Sequence, residues 1–167
     1  LYKKIYKKNK NKLNIFNLKE AEISKISINS YITMKISFSN LISSISDKEN
    51  NVDSSVILNT IGFDKRIGHK YLSLGAMFSG PCFPRDNLNF AKYLKKNKLN
   101  YSLPNVIDEI NDLQFSRYKK IFNKNKIFIK KKPTIGICGL TYKDNTPLTT
   151  KSPGMRLLNF FKNTNRV

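Results

Sequence analysis

Set against 31 lysines and arginines, the chain's 167 residues include only 11 acidic side chains, one histidine and two cysteines. Each scarcity removes a class of protein. Cys82 and Cys138 are too few and too far apart for a disulfide framework or a zinc site, so no metal is expected and a reducing cytoplasm fits. The lone histidine, His69, reads as a solvent-facing residue and not a ligand. No apolar run approaches the about 20 residues a membrane span needs. The basic lead-in Leu1 to Lys12 has no apolar segment behind it, which excludes a secretory signal. There is no starting Met, and the last residues fall just inside the apolar segment Met155 to Phe161, so both ends are expected to be cut points.

The shortage of acid leaves a formal charge of +20, which raises nucleic acid as a partner. The lysines, however, are spread along the chain among many Asn and Ile residues, the residues that A/T-rich codons supply. No Arg-rich or aromatic-interleaved cluster and no zinc-finger spacing occurs. The expectation is no specific nucleic-acid partner and no membrane, with a positive field that draws anionic small molecules such as nucleotides.

Glycine and proline are missing from Leu18 to about Ser46. Apolar residues at 23, 26, 31, 34, 38, 41, 42 and 45, widened by Ile28, Ile32 and Ile36, predict a long helix packed on more than one side. Lys25 and Asn29 interrupt the pattern one turn apart and project from one face; solvent exposure alone would also explain them. Asp53 predicts the cap of a shorter helix, about 54–61, ended by Gly62. A helix is expected from Asp86 to about Lys96. Another follows Pro104 to about Phe122, turning Val106, Ile110, Leu113 and Phe115 inward. The Lys/Asn stretches at 7–12 and 123–132 read as solvated connectors. After Pro133, Thr134 to Leu140 has the look of a buried strand entering a tight turn. Gly136-Ile-Cys-Gly139 lacks the third glycine of a dinucleotide fingerprint and the acidic residue about 20 positions later, so it signals an α/β unit and no more.

Gly75 to Asp86 is the most informative stretch. A glycine-containing loop delivers Cys82 to the start of a helix, with Pro84 suited to its first turn and Asp86 four residues on. Helix starts offer free N–H groups and partial positive charge, which favour anionic sulfur, and Arg85 adds a full charge. Cys82 is therefore a candidate nucleophile with a carboxylate one turn away. The plainer alternative is a buried small hydrophobe beside a capping Asp.

Four segments resemble the UDP-glucose/GDP-mannose dehydrogenase family in order and spacing. They are Ala21-Glu-Ile-Ser-Lys25 with Asn29, Gly62-Phe-Asp-Lys-Arg-Ile-Gly68, the Gly75–Asp86 loop, and Gly139-Leu-Thr-Tyr-Lys-Asp-Asn-Thr146. The resemblance covers nearly all the chain beyond residue 17. It implies a mainly α fold: a helical dimerisation domain with long central helices over 17–125, then the opening strand-turn-helix of an α/β, Rossmann-like, nucleotide-sugar-binding domain over 133–167. Residues 1–16 would trail from a missing NAD domain. It also implies oxidation of a sugar C6 alcohol to a carboxylate with two NAD, UDP-glucose being the default substrate and UDP-N-acetylated hexoses and GDP-mannose remaining open. By the same resemblance Cys82 is the nucleophile, Lys25 and Asn29 stabilise the oxyanion, and Asp86 handles the attacking water. Arg66 (from a neighbouring subunit of a homodimer), Tyr71, Ser73, Gly75, Phe78, Tyr142 and Lys143 contact the substrate, and Arg85 contacts NAD. On pattern alone Tyr71 and Tyr142 read as core aromatics. Ser79 replaces a family glycine, and Thr150-Lys151 replaces Arg-Glu, which removes a contact to NAD and reverses a charge. Those departures keep two other readings open: a helical dimerisation module without the enzyme role, and a basic nucleic-acid binder.

Overall fold

The computed structural model describes residues 15–75, 77–124 and 134–163. Most of the basic lead-in and the connector 125–133 lie outside them. Among the described residues five helices follow in order: α1 (Leu18–Ile45), α2 (Ser54–Phe63), α3 (Phe83–Lys96), α4 (Ser102–Lys124) and α5 (Pro153–Asn163). Side chains at the helix starts satisfy the first free N–H groups. Asn17 and Glu20 form a capping box on α1, the Asn17 side chain accepting from Glu20 N–H at 2.9 Å and the Glu20 carboxylate from Asn17 N–H at 2.9 Å. Asp53 accepts from Ser55 N–H at 2.7 Å to open α2. Ser152 accepts from Met155 N–H at 3.1 Å, with Pro153 in the first position of α5.

Helices α1, α3 and α4 pack mutually, and α2 leans on α1. The buried face of α1 corrects the apolar pattern. Ser30, Thr33, Ser37, Ser39, Asn40 and Ser43 point inward, while Ile28, Tyr31, Phe38, Leu41 and Ile45 stay exposed. Small polar side chains let neighbouring backbones approach and hydrogen-bond to them: Ser37 Oγ donates to the Ile107 carbonyl of α4 at 3.1 Å. At the centre, Asn87 of α3 is fully buried. Its Oδ1 accepts from Ser30 (2.9 Å) and Thr33 (3.0 Å), and its Nδ2 donates to Asp108 at 3.0 Å. One amide thus joins three helices.

Three further expectations are corrected. Helix α4 buries Pro104, Ile107, Asn111 and Gln114, whereas Val106 and Leu113 are exposed, because half of the inward stripe is polar and apolar periodicity misreads its direction. Gly62 lies inside the last turn of α2 and does not end it: a methyl there would overlap the imidazole of His69, which stacks edge-on against Phe63 at 5.1 Å. Residues 134–140 form no strand, since a strand is defined by a hydrogen-bonded neighbour and none is found among the described residues.

The segment 134–163 nevertheless docks on the helices. Phe160 and Phe161 of α5 meet Phe115 (6.3 Å) and Phe122 (5.1 Å) of α4 edge-on, Phe161 being the largest fully buried side chain. Arg156 pairs with Asp112 at 2.8 Å and lies over the Phe115 ring. Gly80 N–H donates to the Thr150 carbonyl at 2.9 Å, and the Tyr142 ring sits against Gly80 so closely that a Cβ would overlap it.

Candidate functional site

Cys82 occupies the N-cap of α3 with its side chain exposed and without a capping hydrogen bond. The buried-hydrophobe alternative for Cys82 is therefore set aside. The helix begins at Phe83, three residues before the expected start, with Pro84 in its first turn. One turn in, Asp86 is only 2 % exposed although ionisable. It is not a cap; its carboxylate reaches across to α1. Lys25 Nζ donates to Asp86 Oδ2, Asn29 Nδ2 donates to the same oxygen at 2.6 Å, and Arg85 Nε donates to Oδ1 at 3.2 Å. Burial raises the Asp86 pKa, but the hydrogen bonds from Lys25, Asn29 and Arg85 outweigh it and hold the carboxyl below its ordinary value. The structure therefore brings Lys25, Asn29 and Asp86 into one cluster, with Cys82 at the head of the same helix as Asp86.

The other expected contact residues lie on other segments. Arg66 is exposed and folds back on Asp64, its Nη2 lying 2.6 Å from Oδ2; the guanidinium lowers the Asp64 pKa. Tyr71, read as a core aromatic on pattern, is 46 % exposed at φ 66°, and Ser73 is exposed beside it. Gly75 takes φ 78°, a left-handed conformation that glycine adopts without strain. The Phe78 ring is buried, packed edge-on against Phe83 at 6.4 Å, so it supports the loop from beneath. Tyr142 and Lys143 line a cavity of about 610 Å³ together with Met77, Ser79, Tyr118 and Cys138. Ser79, the departure from the family glycine, is buried in its wall.

Sequence reasoning missed the residues that hold these loops. Lys35 of α1 donates to the carbonyls of Ile67 (2.9 Å) and Gly68 (3.1 Å), and Ser39 donates to that of Tyr71 at 3.4 Å, fixing the turn that carries Arg66. Asn111, Gln114 and Tyr118 of α4 do the same for Gly75 and Phe78. Their helical spacing of three and four was legible; the backbone they serve was not.

A loop-borne thiol above a buried carboxylate, itself held by an amine and an amide from a second helix, suits chemistry at a carbonyl carbon. The chain belongs to the UDP-glucose/GDP-mannose dehydrogenase family, an oxidoreductase family, whose central-domain model matches residues 19–113. Among its relatives, UDP-glucose 6-dehydrogenase TuaD of Bacillus subtilis is 30% identical over 146 residues, covering 85% of this chain and 30% of that protein. The putative UDP-glucose 6-dehydrogenase YtcA of the same organism is 34% identical over 161 residues, covering 95% and 36%. A UDP-glucose dehydrogenase from the archaeon Pyrobaculum islandicum shares the fold with a TM-score of 0.75 and 28% identity, over 88% of this chain and 33% of that one. The chain thus spans about a third of the length of the relatives it matches.

Proposed function

We propose that this chain is the central part of a nucleotide-sugar dehydrogenase that oxidises the C6 alcohol of UDP-glucose to the carboxylate of UDP-glucuronate. The observation that carries the reading is the buried Asp86 carboxylate gripped by Lys25 and Asn29 at the head of the helix that Cys82 opens. Residues 17–125 are then the helical dimerisation domain and 133–167 the start of the nucleotide-sugar domain, with 1–16 leading in from an NAD domain.

NAD supplies the hydride acceptor in such a reaction. Arg85, with its side chain 57% exposed, fits a phosphate contact to it. No dinucleotide cradle accompanies Arg85 among the described residues, because the 136–139 turn leads into coil and the next helix starts only at Pro153. The chain's own residues do the rest. The Cys82 thiolate adds to the C6 aldehyde, forming a C–S bond, and the carbonyl electrons become an alkoxide. Lys25 and Asn29 donate hydrogen bonds toward that oxygen. Loss of a second hydride from C6 leaves the thioester; water then adds to the same carbon, Asp86 orients it or takes its proton, and the C–S bond breaks to release the thiol and the carboxylate. Overall one alcohol and one water yield a carboxylate, two hydrides and three protons. The sugar lies against Tyr71, Ser73 and the Gly75–Phe78 loop, Tyr142 and Lys143 approach from the third domain, and Arg66 leaves Asp64 to reach the site of a partner subunit. A cytoplasmic location fits a nucleotide-sugar substrate and free thiols.

The test is NADH formation on UDP-glucose by the full-length gene product and its Cys82→Ala variant. Turnover that disappears in a folded variant supports the reading. A folded parent inactive on every nucleotide sugar overturns it in favour of a dimerisation module, the reading favoured by Lys151 standing where the family carries Glu.

A further inference from the structure

Residues 77–80, which lead to Cys82, are buried, and no strand lies beside them among the described residues. Met77, Phe78 and Ser79 are all buried, so their peptide groups need partners. For Phe78, helix α4 provides both from one side chain. Asn111 Oδ1 accepts from Phe78 N–H at 2.9 Å, and Asn111 Nδ2 donates to Phe78 C=O at 3.0 Å. One amide engages both main-chain groups of one residue, as a neighbouring strand would. Gln114 Nε2 donates to the Gly75 carbonyl at 3.2 Å, and the Tyr118 hydroxyl donates to the same oxygen. Asn111 and Gln114 are 7 % and 3 % exposed, so water cannot substitute for them. Burial raises the Tyr118 phenol above its ordinary pKa and keeps it a donor.

We propose that Asn111, Gln114 and Tyr118 form a splint along one face of α4 that holds Gly75 and Phe78, and so sets the approach of the chain to Cys82 at the head of α3. These are positioning residues. The splint stands on geometry alone; its value to turnover rests on the dehydrogenase reading above.

Asn111 offers a test with a distinctive pH signature. A neutral carboxylic acid has one acceptor and one O–H donor, like the amide it replaces, whereas a carboxylate has no donor and repels the Phe78 carbonyl. Hydrogen exchange of the Phe78 amide, normalised to its intrinsic rate, is measured in the parent, Asn111→Leu and Asn111→Asp chains. Asn111→Leu should lose about 10-fold or more of the protection at every pH, the loss expected for an unmade buried hydrogen bond. At pH 7 Asn111→Asp keeps an acceptor for the Phe78 N–H but repels the Phe78 carbonyl, so its protection should fall between those of Asn111→Leu and the parent, and return toward the parent below the new carboxyl's pKa, which burial lifts above the usual ~3.9. The parent series cancels titration of Asp108 and Asp112, which share the adjoining cavity with Asn111, Lys151 and Arg156. At pH 7, iodoacetamide labelling of Cys82 relative to Cys138 should differ from the parent's in both variants.

Unchanged protection and labelling in a folded Asn111→Leu chain overturns the proposal. So does an Asn111→Asp profile without acid recovery, which would mark a space-filling role, or equal loss of protection across α1 and α3, which would mark general support of the fold. No substrate or cofactor enters these measurements, so the splint can hold even if UDP-glucose is not turned over.

Discussion

Asp86 shows how a single side chain ties stability to chemistry. Its folded pKa lies below its unfolded value, so its contribution is fully present above the ordinary carboxylate range and is lost as pH falls through the folded value. Stability measured by urea unfolding should drop below about pH 4, and Asp86→Asn should flatten that acid limb while leaving Lys25 without its counter-charge. Asp108 has the opposite sign. Burial raises its pKa, more than the Asn87 hydrogen bond lowers it, so its charged form costs stability at neutral pH. Asp108→Asn keeps an acceptor for Asn87 and should be more stable than the parent at pH 7, the advantage fading below about pH 4 as the unfolded carboxyl also takes up its proton. Cys82, exposed and uncapped, should tolerate Ala within about 0.5 kcal/mol by thermal unfolding, which separates its chemical role from any structural one.

The turn around Gly80 joins two parts of the chain, and its two constraints add. Its φ is 83°, and the Tyr142 ring occupies the space a methyl would need. Gly80→Ala should cost about 1–3 kcal/mol in denaturant unfolding, combining backbone strain with displacement of Tyr142. It should also free the 141–150 segment, read as faster amide exchange at Gly80 after loss of the Thr150 bond. Gly62→Ala meets only the exposed His69 ring, which can swing away, and should cost under about 1 kcal/mol. The helices themselves were legible. An uninterrupted run without glycine or proline from Leu18 and a cap at Asp53 placed α1 and α2 closely, because these signals are local. Their inward faces were not, because Ser30, Thr33, Ser37 and Asn111 are buried by hydrogen-bonding to other elements, which periodicity does not reveal.

With the small polar residues inside, the apolar side of α1 is left outside: Ile28, Tyr31, Phe38, Leu41 and Ile45 lie along it, each more than two-fifths exposed. An apolar stripe of that length on a helix favours self-association, in line with the homodimer proposed above. Leu41→Glu should shift sedimentation from dimer to monomer while leaving the helical circular dichroism intact. A parent that sediments as a monomer at micromolar concentration would remove the dimer, and with it the delivery of Arg66 to a partner's site. No helix among the described residues is long and apolar enough to cross a membrane.

From short-range pattern came the helical class and the candidate Cys82 with Asp86 one turn on, since caps and turns act over a few residues along the chain; the family and the roles of Lys25 and Asn29 came from the resemblance of four ordered segments. Tertiary structure decided that Asp86 is buried and accepts from Lys25 and Asn29, that the core of α1 is polar, and that α4 holds the Cys82 loop. Those facts rest on hydrogen bonds between residues 33 to 70 positions apart, whose partners are chosen by how the helices pack and not by any local preference.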